Sequence, residues 1–348
     1  MAKKSLPLSP ALQELVDRAA FLSTEVQAHF GQLVGDADWE VDFGAAVPVL
    51  EFARGEGEPL RLRVHFIGTQ ATAPATWHSG WDNVNEFPDA VVDLTGALRA
   101  YGEAHEVPEL SDVEFSADTE LTHAVALAAK LVTDHWAHYP ASTGPQTTAW
   151  LLVDGAELAL DAPQIRPLVF AIAGALQQGQ VKNHRAALES YARLRGFACA
   201  ALPDGTVRVL AADGSADITF DELDRLTNCQ VAQPLTDEAA AQLAAAGDVA
   251  PAATLEWDLG PVAAAQQAAD APAVEEPTVV EAPEPVVEEP AAALETPVQE
   301  PAQPQPEPRP EPVAPAQEQA PAEPQPAQEQ TQPDEPKKKG FFRKLFGR

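Results

Sequence analysis

Residues 251–336 are the strongest constraint on what this chain can fold into. From about residue 255 the tract is dominated by Pro, Glu, Ala and Gln, and no aromatic residue occurs between Trp257 and Phe341. A segment without hydrophobic periodicity buries too little apolar surface to offset the entropy of ordering it. The tract is therefore expected to be a disordered acidic linker. That leaves roughly 250 residues for a packed body, enough for one large domain or a domain with a small appendage.

The formal net charge of the chain is -31. Residues 1–254 carry -20, residues 255–336 carry -17, and the last twelve residues reverse the sign to +6. Nucleic-acid binding rests on cation contacts to phosphate, so a body this acidic excludes a nucleic-acid partner. Cys199 and Cys229 are the only cysteines. Two cysteines in a long chain are no disulfide framework, and Cys199, in an apolar run, reads as a small core residue. The start, Met-Ala-Lys-Lys-Ser-Leu-Pro-Leu-Ser-Pro, has no continuous apolar stretch behind it, so no secretion signal is expected. No segment approaches the roughly 18 apolar residues of a membrane span. The expected compartment is the cytoplasm.

Within the body, Ser9 and Pro10 open an amphipathic helix to about Gly31, with Leu12, Leu15, Val16, Ala19, Leu22 and Val26 on one stripe. Alternating segments at Trp39–Phe43, Val47–Ala53, Leu60–Phe66 and Thr76–Asn83 read as four strands of an antiparallel meander. Helices are expected over Ala90–Glu103, Thr119–His138 and Pro163–Gln178, with a short strand at Thr148–Val153. A second unit starts near Lys182. It has a helix ending at Gly196, a hairpin turning at Asp204-Gly205, and a capping box, Thr219 to Glu222, that opens a short helix. The fold class is α+β: a mostly antiparallel sheet with packed helices and a small helix–hairpin–helix appendage. The expected divisions are 1–180, 181–250, the linker 251–336 and a basic terminal motif 337–348.

Gly68, Thr76, Trp77, Trp81, Asn83, Arg99, Tyr101, Gly102 and Leu110 follow a pattern in which a W-x-W-x-W-x-N strand precedes a helix ending in R-x-Y-G. Ser79 stands where the pattern has its middle tryptophan. In this, residues 10–180 resemble an uncharacterised bacterial family of unknown function. The resemblance implies no activity. On a strand, Trp77, Ser79 and Trp81 share one face. Two readings follow: the indoles pack under a helix, or Trp77, Trp81, Asn83 and Tyr101 line a small-ligand cleft.

His123, His135 and His138 fall on one expected helix, with His135 and His138 on a shared face. They lack a convergent third ligand, so core or solvated histidines explain them better than a metal. The stretch Asp213 to Leu223 resembles part of a calcium loop, but Ala211 and Ala216 stand where an acid and a glycine are required. No nucleophile elbow, phosphate loop, dinucleotide fingerprint or zinc-protease helix occurs. Accordingly no catalytic residue, metal or cofactor is expected, and nothing sets an oligomeric state.

The chain ends in Lys337, Lys338, Lys339, Gly340, Phe341, Phe342, Arg343, Lys344, Leu345, Phe346, Gly347 and Arg348. On a helical wheel Phe341, Phe342, Leu345 and Phe346 fall within an arc of about 140°, opposite Arg343 and Lys344. A helix this short forms only on a surface that accepts its apolar face. Three partners fit that face: an anionic membrane, a groove on another protein, or the acidic body itself. The whole reads as an adaptor or binding protein tethered by residues 337–348, peripheral at the inner face of the plasma membrane. The alternative is a ligand binder or enzyme with a cleft near Trp77 and Trp81.

Overall fold

Ser9 starts the fold where the sequence places it. Its hydroxyl accepts the Leu12 N–H, and Pro10 supplies first-turn geometry for α1, Pro10–Val34. The helix runs past Gly31 and stops only at Gly35, whose φ of +50° is left-handed. The computed structural model describes residues 7–55 and 57–247, all within one compact unit.

The elements that follow are β1 (Trp39–Asp42), β2 (Val49–Phe52), β3 (Leu60–Ala71), β4 (Thr76–Ser79), α2 (Asp89–Val92), α3 (Thr95–Ala104), α4 (Pro108–Ser111), β5 (Glu114–Ser116), α5 (Thr119–Thr133), β6 (Ala137–Gly144) and β7 (Thr147–Asp154). Beyond them lie α6 (Ile165–Gln178), α7 (His184–Arg195), β8 (Ala198–Ala201), β9 (Val207–Ala211), β10 (Gly214–Phe220), β11 (Leu226–Ala232) and α8 (Asp237–Ala246). All strand pairs are antiparallel, so the α+β class holds.

The long strand β3 is the axis of a seven-stranded sheet. Its first residues pair with β2, which pairs with β1, and its last residues pair with β4, which pairs with β5. Along most of its length it also pairs with β7, and β7 carries β6. The edge of β6 is covered by a side chain from α1: Gln27 accepts the His138 N–H at 3.1 Å and donates to the His138 carbonyl at 2.8 Å. A glutamine amide thus stands in for the next strand. The second sheet is a four-stranded meander, β8 to β11 in order. One apolar core runs from Leu12 of α1 through Leu62 of β3 to Leu188 and Tyr191 of α7 and Ile218 of β10.

Five expectations need correction. The single helix expected over Ala90–Glu103 is two, α2 and α3, parted by a turn at Asp93 and Leu94. The helix expected over Thr119–His138 ends at Thr133. Asp134 turns left-handed at φ +57° and accepts the Trp136 indole N–H, and His135 bonds the Thr133 carbonyl at 2.6 Å. His135 and His138 therefore leave the helix, and His138 enters β6. The strand Thr76–Asn83 stops at Ser79, because residues 80–82 form a 3₁₀ turn closed by left-handed Asn83. Trp77 and Trp81 consequently share no strand face. Thr219 to Glu222 caps no helix. The Asp221 carboxylate accepts N–H groups from Leu223 and Arg225, which closes the β10–β11 loop, so the appendage is helix, meander, helix. Cys199 is exposed on β8 while Ala198 faces inward, and both cysteines are free.

Candidate functional site

Structure gives the family-like residues a common purpose in packing. Trp77 is fully buried, and its ring lies against Gly68 on the neighbouring strand. The indole N–H donates to Ser79 Oγ at 3.1 Å, and Ser79 donates onward to the Asp112 carbonyl at 2.8 Å. Ser79 thus satisfies the one polar atom of a buried indole. Asn83 bridges the N–H and carbonyl of Phe87, both at 2.9 Å, and fixes the turn. Trp81 is half-buried with the Arg99 guanidinium 4.3 Å from its ring centre. Tyr101 is buried and stacks on His105. A hollow of about 200 Å³ beside this turn takes in Asn83 but not Trp77, Trp81 or Tyr101.

The histidines gather differently from the expected helix face. His65 of β3, Leu152 of β7 and His138 of β6 lie in register across three strands. The His65 ring stands 4.8 Å from His135, and the His138 ring 5.6 Å from His123 on α5. His65 Nδ1 sits 2.6 Å from Asp93 Oδ1, while Arg63 donates to the other Asp93 oxygen. Burial pushes the Asp93 carboxyl up, but the His65 hydrogen bond and charge, with Arg63, outweigh it and hold the group below its usual value. Among the described residues no three His, Cys, Asp or Glu side chains converge on a metal position.

Beside His123 and His138 lies the most unusual group in the body. Lys130 of α5 is wholly buried, donating to Ser23 Oγ at 2.7 Å and Gln27 Oε1 at 3.2 Å. Both acceptors are neutral. Burial depresses the lysine well below its ordinary value, and burial likewise depresses His138, with Lys130 and His123 adding to it. A cavity of about 30 Å³, room for one water, is lined by Ser23, Gln27, His123 and His138 among others. We expect Lys130→Met to raise stability at pH 7 by roughly 1–3 kcal/mol, since an apolar isostere carries no desolvation cost. The folded amine titrates below the unfolded value of about 10.4, so between those two the unfolded chain binds the extra proton and wild-type stability rises with pH. The advantage of the variant should shrink toward about pH 10. Denaturant unfolding of both proteins across that range checks it, and a gap independent of pH counts against a buried neutral amine.

On the other flank of α1, facing α6, a groove of about 710 Å³ opens. Gly174 of α6 lets the helices approach, since a Cβ there would meet Thr24 Cγ2 at 3.0 Å. Ala28, Leu160, Ala162, Pro167, Phe170 and Ala171 give it apolar walls. Glu25 and Arg195 form its charged floor. Arg195 donates to both Glu25 oxygens, at 2.8 and 3.1 Å, and to the Asp161 carbonyl at 2.8 Å. Tyr191 donates to Glu25 at 2.7 Å, and burial followed by the Glu25 charge raises its phenol well above the ordinary value. Phe170 stands 65% exposed on the rim, with Arg166 over its ring.

Residues 13–156 match the model of a family of unknown function (DUF6882). No curated protein and no solved structure matches the chain. The matched segment, shorter than the expected 10–180, spans α1 to β7 and so holds the whole seven-stranded sheet. Since α6 and α7 lie beyond it, only the α1 wall of the groove belongs to the matched segment, and most of its lining comes from the residues that follow.

Lys130, Ser23, Glu25 and Arg195 were not singled out from sequence. The available signal was a lone lysine in the apolar run Ala124–Leu131 and a serine inside the apolar stripe of α1. The linker 251–336 and the terminal residues Lys337 to Arg348 lie outside the described residues. Among the described residues no helix is long and apolar enough to cross a membrane.

Proposed function

We propose that the protein is an adaptor or binding protein whose body takes a partner in the α1–α6 groove, and whose residues 337–348 hold it reversibly on an anionic membrane surface. The observation that supports this reading best is the groove. Its walls are apolar, and its buried charges are spent on one another through Glu25, Arg195 and Tyr191. Such a site recognises shape and apolar surface, with a few fixed polar groups setting orientation.

The tether rests on residue chemistry. Each cation near an anionic surface contributes about 1 kcal/mol, and partial burial of Phe341, Phe342, Leu345 and Phe346 adds several more. Ordering the segment removes a sizeable part of this, so attachment is weak and reversible. A flexible coil of about 80 residues would span ~50 Å on average, far beyond the Debye length of about 8 Å, so a tract of that length lets an acidic body stand clear of an anionic bilayer. The full chain is expected to co-sediment with phosphatidylserine-containing vesicles, less so as salt rises. Phe341→Ser/Phe346→Ser should abolish that binding. Equal sedimentation of the double variant would remove the tether.

A further inference from the structure

We infer that the α1–α6 groove receives residues 341–346 of the same chain when these are not engaged elsewhere, a step that rests on the reading that this segment is adhesive. Pockets of about 300–1,000 Å³ enclose most of a drug-sized body, comparable in bulk to a few large side chains. The groove, at about 710 Å³, therefore has room for the apolar arc of Phe341, Phe342, Leu345 and Phe346. Phe170 is the only phenylalanine left exposed among the described residues, and it stands on this rim. An aromatic flanking an apolar groove marks a surface that gains by being covered.

Charge and chain length name the occupant. The last twelve residues carry +6, whereas residues 1–254 carry -20. With its apolar arc in the groove, the segment turns Arg343 and Lys344 toward an acidic body and water. The described residues end at 247, 93 residues before Gly340, and a flexible coil of that length would span ~53 Å on average. A folded body of this size has a radius of gyration of about 18 Å, so the segment reaches every face of it. Its effective concentration there is on the order of 1 mM, high enough to fill a site of modest affinity. The same residues cannot lie on a membrane and in the groove at once. Docking therefore hides the adhesive face off the membrane and frees the groove upon it.

The test uses the full chain with the photo-crosslinker p-benzoylphenylalanine at position 342. Irradiation in dilute solution should give crosslinks concentrated in residues 24–32 and 160–174, at a yield independent of protein concentration. Phe170→Glu, a surface change, should lower that yield about tenfold. Phosphatidylserine vesicles should lower it as well. Crosslinks scattered over the body overturn the inference, as do groove crosslinks whose yield grows with protein concentration, which assign the groove to a second copy. Vesicle co-sedimentation of the same samples separates the two ideas. Scattered crosslinks with intact vesicle binding remove the docking and leave the tether, and groove crosslinks without vesicle binding do the reverse.

Discussion

Gly68→Ala should be among the most damaging single-methyl changes in this body, costing about 3–4 kcal/mol. A Cβ at position 68 would lie 2.3 Å from Trp77 Cζ2, 2.6 Å from Cε2 and 2.7 Å from the His78 carbonyl oxygen. The indole cannot swing away, because its N–H is held by Ser79 and Ser79 is held by Asp112. Nor can the strand move freely, since β3 is paired on both sides at this point, Gly68 facing Ser79 and Trp150. Chemical denaturation of the variant measures the loss. A double-mutant cycle with Trp77→Leu locates it: removing the ring should recover at least about 1 kcal/mol, though not all, because the His78 carbonyl stays. A Gly68→Ala protein as stable as wild type would mean that the indole does not lie over this glycine.

That contact explains why the sequence pattern was informative. Gly68, Trp77, Trp81, Arg99, Gly102 and Leu110 stand out together because they touch in pairs. The indole lies on Gly68, Arg99 lies over Trp81, and a Cβ at Gly102 would meet the Leu110 Cβ at 2.9 Å. The pattern left packing and a ligand cleft both open, and the structure puts Trp77 in packing. The start of α1 was legible because local chemistry sets it: Ser9 caps the helix it precedes, as Asn183 and Thr236 cap theirs. What stayed hidden depends on distant partners. The apolar periodicity of α5 runs on into Ala137 and Tyr139, and only the left-handed Asp134 and the waiting edge of β7 turn that stretch into a strand. Lys130 was passed over, because nothing local says that Ser23 and Gln27, more than a hundred residues earlier, will be its partners. The groove was illegible for the same reason: its two walls come from segments about 140 residues apart, brought together by the packing of α6 on α1.

Arg195→Met is expected to cost about 3–5 kcal/mol, because it strands a charge. The Glu25 and Arg195 side chains are only 9% and 11% exposed, and the guanidinium grips both carboxylate oxygens. Without it, Glu25 keeps the Tyr191 hydroxyl as a donor but loses its counter-charge while remaining largely buried. The Asp161 carbonyl loses its donor in the same step, which loosens the loop carrying Leu160 and Ala162 in the groove wall. Neutralising the acid as well should rescue the fold: Arg195→Met/Glu25→Gln is expected to regain roughly 1–3 kcal/mol over the single variant, since an uncharged amide tolerates burial better than a lone carboxylate. Denaturant midpoints of the wild type and the three variants close the cycle. A double variant no better than Arg195→Met would mean that the loss lies in packing of the arginine stem, not in the stranded charge. The outcome also bears on binding. The pair is a rigid floor whose charges cancel, and the rescued double variant restores the fold without restoring the bond to Asp161. Groove occupancy by residues 341–346 should then stay weakened while stability recovers, which separates the wall's contribution to binding from the floor's contribution to folding.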